Sequence, residues 1–532
     1  MHITRTVLML ISALAITGCK KSTPGTSNPV CGPDKYLCKK TATCQAIEKT
    51  CKDPQPTCPR GQVIDYGNNP QFMDEQNCVA IAQNCSCTVP PPLEHGVLGR
   101  HAALVAVGDA LYASAYESRF GDLVVVSAKL NDLTTVSKTI VDGKPSTGEV
   151  TGDPRGYRDG ISSPGDDVGR YTDIGASTSL IGVAYHDGTN RALKWASRPL
   201  GQDSWTHHAV ALPAGDREIV GRYSSLLFED GKPRIAFTVL GVAGTSGNVR
   251  SELRWAAAKV AAPAAASDWE ISTIVGSNMS CHGLCPSGEA CFTQIDALGR
   301  CEPTSGQCSG CAANQACKGG VCRSIATAKQ GSIPQAAGLW PTAVVGSTGP
   351  VVIYHDAARG LLHAAQLNNG SWSIVTITGT SSDRAGRFAS AIASPSGEIH
   401  VVHQRGDALH YLRLDSSTLK PAISEVVDDG TRKGAIHVVG ADGAIALDAN
   451  GFPHLIYQDQ QTADLLYASR ASGSWQPSQT TDANLGRLIK GGNLGFGFFS
   501  DLVSHGGAIY GVTLAFAPGQ TPAGNLAFFK LP

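Results

Sequence analysis

Several residue classes are scarce in this chain of 532 residues. Charged residues make up 16% of it and the formal net charge is −1, so it lacks the positive excess of a nucleic-acid binder and we expect no such partner. Only 4 Met stand against 60 Gly, a balance that favours an all-β repeat protein over a helical one. After residue 19 no apolar run is long enough to span a bilayer.

Recognisable catalytic motifs are also missing. The sequence contains no nucleophile motif, no unique pair of carboxylates and no clear metal-ligand cluster, so we assign no catalytic residue and no metal site. The polar loop 142–167 holds Asp153, Asp159, Asp166 and Asp167, which could ligate calcium. Because the loop lacks EF-hand spacing, we favour a solvated loop over a calcium site.

Cysteine is absent from most of the chain. Of 17 Cys, Cys19 lies near the N-terminus and the other 16 form two clusters of eight, within residues 31–87 and 281–322. Even counts behind an export signal predict two disulfide-rich modules, at 31–92 and 276–330, with each cysteine paired inside its own cluster.

The second cysteine cluster is internally doubled. CHGLCPSGEAC followed by GRC is echoed by CSGCAANQAC followed by GGVC. Cys308 and Cys311 have the spacing of zinc ligands, but no second pair and no histidine motif follows them, so disulfides are favoured over zinc. Eight cysteines allow about 105 pairings, and the connectivity stays open.

The N-terminus has the pattern of an export signal. Arg5 precedes the apolar run Val7–Ile16, which is too short for a bilayer span. The run ends in Ile-Thr-Gly-Cys19, which resembles the lipobox of bacterial lipoproteins. We therefore expect a signal peptide at 1–19, lipid on Cys19, a flexible tether at 20–30 and attachment to the cell envelope at the outer membrane. An ordinary secretory signal is the alternative.

Residues 93–532 contain seven copies of one pattern. Each copy opens strand a with a glycine-led hexapeptide: GRHAAL (99–104), GRYTDI (169–174), GRYSSL (221–226), GLWPTA (338–343), GRFASA (386–391), GADGAI (440–445) and GFFSDL (497–502). A leucine-led apolar motif for strand c recurs seven times, in alternation with these openings. Four strands a–d per copy predict an all-β, seven-bladed β-propeller with two disulfide-rich modules. Residues 93–98 are expected to complete the seventh blade and close the ring.

Arginines and aromatic residues follow the opening glycines. Strand a is the innermost strand of a blade, so its start lies at the mouth of the central channel. We predict a ligand site there, with arginines beside flat aromatic faces that suit a sugar: Arg100, Arg170, Arg222, Arg387, Tyr171, Tyr223, Phe388 and Trp340. The alternative is that the arginines pair with aspartates of neighbouring blades and the aromatic residues pack between blades.

Strand b ends in a recurring aromatic-x-Asp. It is found as Tyr185-His186-Asp187, Tyr354-His355-Asp356 and Tyr457-Gln458-Asp459. These aspartates lie on the same rim as the arginines and are included in the candidate ligand site. A catalytic set is one interpretation. The favoured one is structural, with the Asp bonding into the b–c turn and the Tyr packed between blades, because a single active site needs its groups only once.

Several of these motifs resemble a known superfamily. GDDVGRYTDIGAS (165–177), VAYHD before LKWAS, and LIYQD before LLYAS are similar to bacterial exported proteins of the sialidase-like (BNR-type) propeller superfamily, and the cysteine-rich segments resemble modules of myxobacterial secreted proteins. Sialidases have six blades and carry a Ser-x-Asp-x-Gly-x-x-Trp box. In NNGSW (368–372) and SGSW (472–475) the Trp is present and the Asp is not, so no sialidase active-site residue is transferred.

The sequence thus predicts a lipid-anchored propeller that acts as a binding or scaffolding protein for a glycan or protein ligand. The alternative is a glycan-acting enzyme of sialidase-like or polysaccharide-lyase type.

Overall fold

The computed structural model describes residues 86–532 except 246–247, 282–283, 286, 293–299, 326–332, 433, 480–494, 518, 520–521 and 532, together with the earlier segments 35–38, 43–46, 48–51, 58, 61–65, 72–74 and 79–82. Cys19 and the tether lie outside these residues. Within the described residues, no helix combines the length and the apolar character needed to cross a membrane.

The chain divides into two compact units, Met1–Leu93 with Gly148–Ser162, and Glu94–Thr147 with Ser163–Pro532. The described part of the first unit contains short strands: Lys35–Cys38 with Thr43–Ala46, Glu48–Cys51 and Phe72–Asp74 on either side of Val79–Ala82, and Val63–Asp65 with Ser86–Thr88. A disulfide joins Cys58 to Cys87. A 3-10 turn spans Tyr157–Gly160.

The second unit is a seven-bladed β-propeller. Blades 1 to 6 are four-stranded antiparallel sheets in the order a-b-c-d, and blade 7 has three strands. Blade 1 comprises Leu98–Val107, Ala110–Glu117, Asp122–Lys129 and Asp132–Asp142; blade 2 Val168–Ala176, Leu180–Asp187, Ala192–Pro199 and Thr206–Ala211; blade 3 Ile219–Glu229, Lys232–Ala243, Val249–Ala258 and Trp269–Met279; blade 4 Ala337–Gly346, Gly349–Asp356, Leu361–Asn368 and Ser371–Gly379; blade 5 Arg387–Ala393, Ile399–Arg405, Ala408–Leu414 and Pro421–Asp428; blade 6 Val439–Leu447, Pro453–Asp459, Asp464–Ser469 and Gln476–Gln479; blade 7 Gly495–His505, Ala508–Phe516 and Gly524–Lys530.

The hydrophobic core lies between the blades. Alternate strand residues face each side of a sheet, and a buried apolar cluster fills each of the seven interfaces between neighbouring sheets. The strand-d tryptophans take part: Trp269 contacts Trp195 edge-to-face at 5.6 Å, and Trp372 contacts Trp255 at 5.5 Å. Each such aromatic pair contributes about 1 kcal/mol beyond the area it buries.

The cysteine-rich insertion consists of two small hairpins. Strand d of blade 3 extends to Met279, so the insertion begins after it and not at residue 276. The hairpins are Glu289–Phe292 with Arg300–Pro303, and Gln315–Lys318 with Val321–Ser324. Each carries two disulfides that join its first to its third cysteine and its second to its fourth: Cys281–Cys291, Cys285–Cys301, Cys308–Cys317 and Cys311–Cys322. The doubling is confirmed, and each of the five bridges that the structure describes joins two cysteines of the same cluster, one bridge in the first cluster and four in the second.

The predicted closure of the ring by residues 93–98 is wrong. Leu98 already belongs to strand a of blade 1, and among the described residues the seventh sheet has three strands, none of them from residues 93–97. Val97 is held instead by the b–c turn of blade 1, where its N–H donates to Ser118 Oγ at 2.9 Å and its carbonyl accepts from Ser118 N at 3.1 Å. Blades 7 and 1 therefore meet face to face, and Tyr510, Phe528 and their neighbours pack against the apolar face of blade 1.

Candidate channel-mouth site

Each strand a is distorted in the same way near its start. The third residue of every opening hexapeptide has a left-handed backbone, with φ between 45° and 57°: His101, Tyr171, Tyr223, Trp340, Phe388, Asp442 and Phe499. The glycine two positions earlier also has positive φ, and a Cβ at Gly169 or Gly221 would lie 2.7 Å from the backbone of the preceding blade. Register shifts between strands a and b accompany this conformation in every blade. A costly local conformation that occurs once per blade in all seven blades points to a shared role for these side chains.

Six of these seven side chains are aromatic and form a ring around the channel. Neighbouring ring centroids are 4.5 Å apart for His101–Tyr171, 4.7 Å for Tyr171–Tyr223, 5.3 Å for Tyr223–Trp340, 4.9 Å for Trp340–Phe388 and 4.8 Å for Phe499–His101. They line a cavity of about 530 Å³ with the strand residues beyond them. The aromatic residues thus face the channel, and the alternative that they pack between blades is not what the structure shows.

The four predicted arginines differ in how they are held. Arg170 donates to Asp167 at 2.7 Å and to Tyr116 Oη at 3.1 Å, so it is already paired. Arg100 is exposed, Arg222 lies 6.0 Å from the Tyr171 ring, and Arg387 is half-buried. Among the residues that the structure describes, these three have no carboxylate within ion-pair distance, and Arg222 Nε is buried without a hydrogen-bond partner. Pairing with neighbouring blades therefore does not account for them.

The arginines impose a positive potential on the aromatic ring. Burial, followed by the charges of Arg170, Arg100 and Arg222, lowers the pKa of His101 to about 3. The imidazole is therefore neutral at physiological pH and serves as an aromatic surface. Burial is the first cause that lowers the pKa of Arg387, and Arg384 is the second. An electropositive mouth with aromatic walls suits a flat ligand that bears a negative charge.

Beyond the ring, side-chain oxygens of one strand a accept hydrogen bonds from backbone N–H groups of the next strand a along the channel wall. The fifth residue of one hexapeptide accepts from the N–H of the sixth residue in the next blade. Ser225 Oγ accepts from Ala343 N at 3.0 Å, and Thr342 Oγ1 accepts from Ala391 N at 3.1 Å. Innermost strand edges, which would otherwise need water, are thereby paired.

Two aspartates take part where the preceding blade offers no side-chain acceptor for this hydrogen bond. The fifth residue is alanine in blades 1 and 6, which leaves the next blade without an acceptor, and in both cases that blade carries an aspartate, Asp173 or Asp501. Asp501 accepts from Leu104 N at 2.7 Å and also from its own neighbour Leu502 N at 2.8 Å. Burial raises the pKa of Asp173 to about 6 and, together with the Asp173 charge, that of Asp501 to about 7.

Asp442 interrupts the aromatic ring between Phe388 and Phe499. Burial raises the pKa of this carboxyl to about 6, and a hydrogen bond from the backbone of Phe499 lowers it by less. Asp442 is therefore the one ring member that can hold or release a proton near neutral pH. Sequence reasoning missed it, and also missed His101 and Phe499, although all three hold the third position of their hexapeptides.

The side chains of the predicted aspartates at the ends of strand b point into the b–c turns that follow them and accept hydrogen bonds there. Asp187 accepts from Asn190 N at 2.8 Å, and Asp356 accepts from Ala358 N at 3.1 Å. Asp459 accepts from Gln461 N at 3.0 Å, and all three side chains are at most 4% exposed. The structural interpretation of aromatic-x-Asp is confirmed, and these carboxylates cap turns.

The penultimate residue of strand b links neighbouring blades in blades 2, 4, 5 and 6, and in three of them it precedes one of these aspartates. His186 Nδ1 lies 2.8 Å from the carbonyl of Val220, and His355 Nδ1 lies 2.8 Å from that of Ala385, in each case just before the next blade's opening glycine. In blades 5 and 6 a glutamine amide donates the same bond: Gln404 to Val439 and Gln458 to Phe496, both at 2.9 Å. We call these four contacts the inter-blade latches.

The calcium hypothesis for the 142–167 loop gains no support from the carboxylates described. Asp153 pairs with Arg155 at 2.9 Å, and Asp167 pairs with Arg170. Side-chain cations thus already neutralise two of the four candidate ligands.

No family model matches this chain, and no curated protein matches it significantly. Similar solved structures include an α-L-arabinanase from Penicillium chrysogenum in complex with arabinobiose, at 13% identity over 68% of this chain and 92% of that one, with a TM-score of 0.39. The polysaccharide lyase Uly1 matches at 8% identity, 80% and 88% coverage and a TM-score of 0.40. An α-L-arabinofuranosidase from Fusarium graminearum in complex with an iminosugar inhibitor matches at 10% identity, 68% and 92% coverage and 0.39. At these scores the likeness does not assign a function to this chain.

Proposed function

We propose that this protein recognises an acidic saccharide at the mouth of its propeller channel. The observation that carries the proposal is the ring of six aromatic side chains, each held in a strained backbone conformation, beside Arg100, Arg222 and Arg387, which have no carboxylate partner among the described residues. Aromatic faces stack on sugar rings, and the arginine fork pairs with a carboxylate.

The test uses the soluble chain, residues 31–532, and calorimetry with tetragalacturonic acid and with uncharged maltotetraose. We expect the acidic oligosaccharide to bind more tightly, with an affinity that falls as salt is raised. Arg222→Ala should weaken it at least tenfold, since a charge-assisted hydrogen bond is worth roughly 1.5–3 kcal/mol. Arg413→Ala is the matched control, because Arg413 pairs with Glu398 at 3.3 Å on strand c, away from the channel. Equal effects of the two substitutions would refute the proposal.

A second candidate, cleavage of the bound glycan, rests on Asp442. A carboxyl group with a pKa of about 6 in the wall of a sugar site has the properties of a general acid. Asp442→Asn should then abolish turnover of any bound oligosaccharide while retaining its binding. If the unsubstituted protein releases no shorter products from a ligand that it binds, the binding function stands alone.

We further propose that the propeller is anchored to the cell envelope by lipid on Cys19, as the lipobox-like sequence indicates. Such an anchor would hold the site at the membrane surface, where envelope or environmental glycans are met.

A further inference from the structure

A four-group arrangement joins blades 1 and 2. The hydroxyl of Tyr185 donates to Asp142 Oδ2 at 2.7 Å. Lys194 also bonds Asp142 and lies 3.8 Å from Asp187. A tyrosine, a cation and two acids therefore form one buried network, in which the cation contacts both carboxylates.

The same arrangement recurs between blades 5 and 6. Tyr457 donates to Asp428 Oδ2 at 2.9 Å. Arg432 contacts Asp428 at 2.8 Å and Asp459 at 3.8 Å. The network recurs at two separate interfaces, with lysine as the cation in one and arginine in the other, and in both the tyrosine hydroxyl donates to an acid.

Between blades 3 and 4 one member of this network is missing. Tyr354 is present, and Arg359 pairs with Asp356 at 2.8 Å, which supplies the tyrosine, the cation and one acid. The other acid is absent. Asp142 and Asp428 each lie opposite the first leucine of strand c, and in blade 3 that position, opposite Leu253, is held by Val275.

A cavity of about 690 Å³ occupies this interface and is lined by Val275, Tyr354, Arg359 and Arg250. Tyr354 is only 2% exposed, and its hydroxyl has no hydrogen-bond partner in the part of the chain that the structure describes. Over the same residues Arg250 has no carboxylate partner. Two arginines against the single carboxylate of Asp356 leave the cavity with a surplus positive charge.

We propose that this cavity is a binding site for a carboxylate-bearing ligand of monosaccharide size, such as a hexuronic acid. The ligand carboxylate takes the place of the missing aspartate, accepts a hydrogen bond from Tyr354 and pairs with Arg359 and Arg250. Ser277 and Asn278, which also line the cavity, offer polar partners for sugar hydroxyls. The site shares no residue with the channel mouth and does not depend on the function proposed there.

Calorimetry with sodium glucuronate, methyl glucoside and acetate tests the site in an Arg222→Ala background, in which the channel mouth is weakened. We expect saturable binding of glucuronate, binding of acetate at least tenfold weaker, and none of methyl glucoside. Val275→Asp supplies the missing acid and completes the four-group network within the chain, so it should abolish glucuronate binding and raise the Tm. Ala211→Asp is the matched control, because Ala211 lies opposite the first leucine of strand c in blade 2 and belongs to the same apolar cluster as Phe237, which has no hydroxyl. It should leave binding unchanged.

Tyr354→Phe keeps the shape of the side chain and removes only the donor, so the affinity for glucuronate should fall about tenfold. This variant decides the matter if Val275→Asp does not fold. The proposal is overturned if glucuronate does not bind, if Val275→Asp or Tyr354→Phe binds it as tightly as the parent, or if acetate binds equally well. Loss of tetragalacturonate binding alone would concern only the channel mouth.

Discussion

The inter-blade latches predict that two histidines make the propeller sensitive to acid. Burial lowers the pKa of both His186 and His355 to about 4, against an ordinary value of 6.5. A depressed pKa in the folded state means that the stability is present above pH 6.5 and is lost as the pH falls towards 4. In blades 5 and 6 the same contact is made by Gln404 and Gln458, which do not titrate. Blades 5 and 6 therefore show that glutamine can replace histidine at this position, keeping the hydrogen bond without a titratable group.

The perturbation is the double substitution His186→Gln and His355→Gln. Between pH 6.5 and pH 5 the unfolded chain takes up a proton at each imidazole and the folded chain does not. Each histidine therefore costs about 2 kcal/mol at pH 5, from one and a half pH units at about 1.36 kcal/mol per unit. The double variant should match the parent at pH 7.5 and exceed it by about 4 kcal/mol at pH 5.

Urea unfolding at both pH values measures this difference. The reciprocal variant Gln458→His should behave in the opposite way and lose about 2 kcal/mol more than the parent on acidification. His101 and His403, whose pKa values are lowered by burial to about 3, are unchanged in all variants and cancel in the comparison. If the parent and the double variant lose equal stability between pH 7.5 and pH 5, the latches do not carry the acid sensitivity.

Three further outcomes are expected. Asp501→Ala removes the acceptor of two backbone N–H groups and should destabilise the propeller by roughly 2–4 kcal/mol in urea unfolding, whereas Asp501→Asn, which keeps one acceptor, should cost less. Non-reducing peptide mapping should find Cys308–Cys317 and no bridge between the two cysteine clusters, and reduction should leave most of the β-sheet circular dichroism, since the blades contain no cysteine. Mass spectrometry of the native N-terminal peptide should find acyl chains on Cys19, and an unmodified mature terminus would contradict the lipid anchor.

The fold was predictable from the sequence because its signal repeats. Each opening glycine has a positive φ and packs closely against the preceding blade, so glycine recurs at the same place in all seven copies. The turn-capping role of Asp187, Asp356 and Asp459 was predictable for a similar reason, since an Asx turn involves only neighbours along the chain. The candidate aromatics Tyr171 and Tyr223 were placed correctly at the channel.

The contacts that the sequence did not reveal are those between neighbouring blades, because they depend on how two adjacent sheets are aligned against each other. That His186 meets Val220, or that Tyr185 meets Asp142, follows from which residues of two neighbouring sheets face each other, and no local pattern encodes that offset. The ring closure failed for the same kind of reason. LEHGVL lies where the other blades have a preceding strand d, but its backbone at Val97 is hydrogen-bonded to the turn at Ser118.

The register shift near the start of strand a fixes the backbone of the third hexapeptide residue but not the identity of its side chain. Because the glycine and the register shift fix the main chain, the third hexapeptide residue is free to vary, as His101, Trp340 and Asp442 show. Specificity at the channel mouth can therefore evolve one blade at a time, through single substitutions that leave the architecture intact. The seven third-position residues together define the binding surface of the channel mouth. A library varied only at those positions would explore new ligands on an unchanged scaffold.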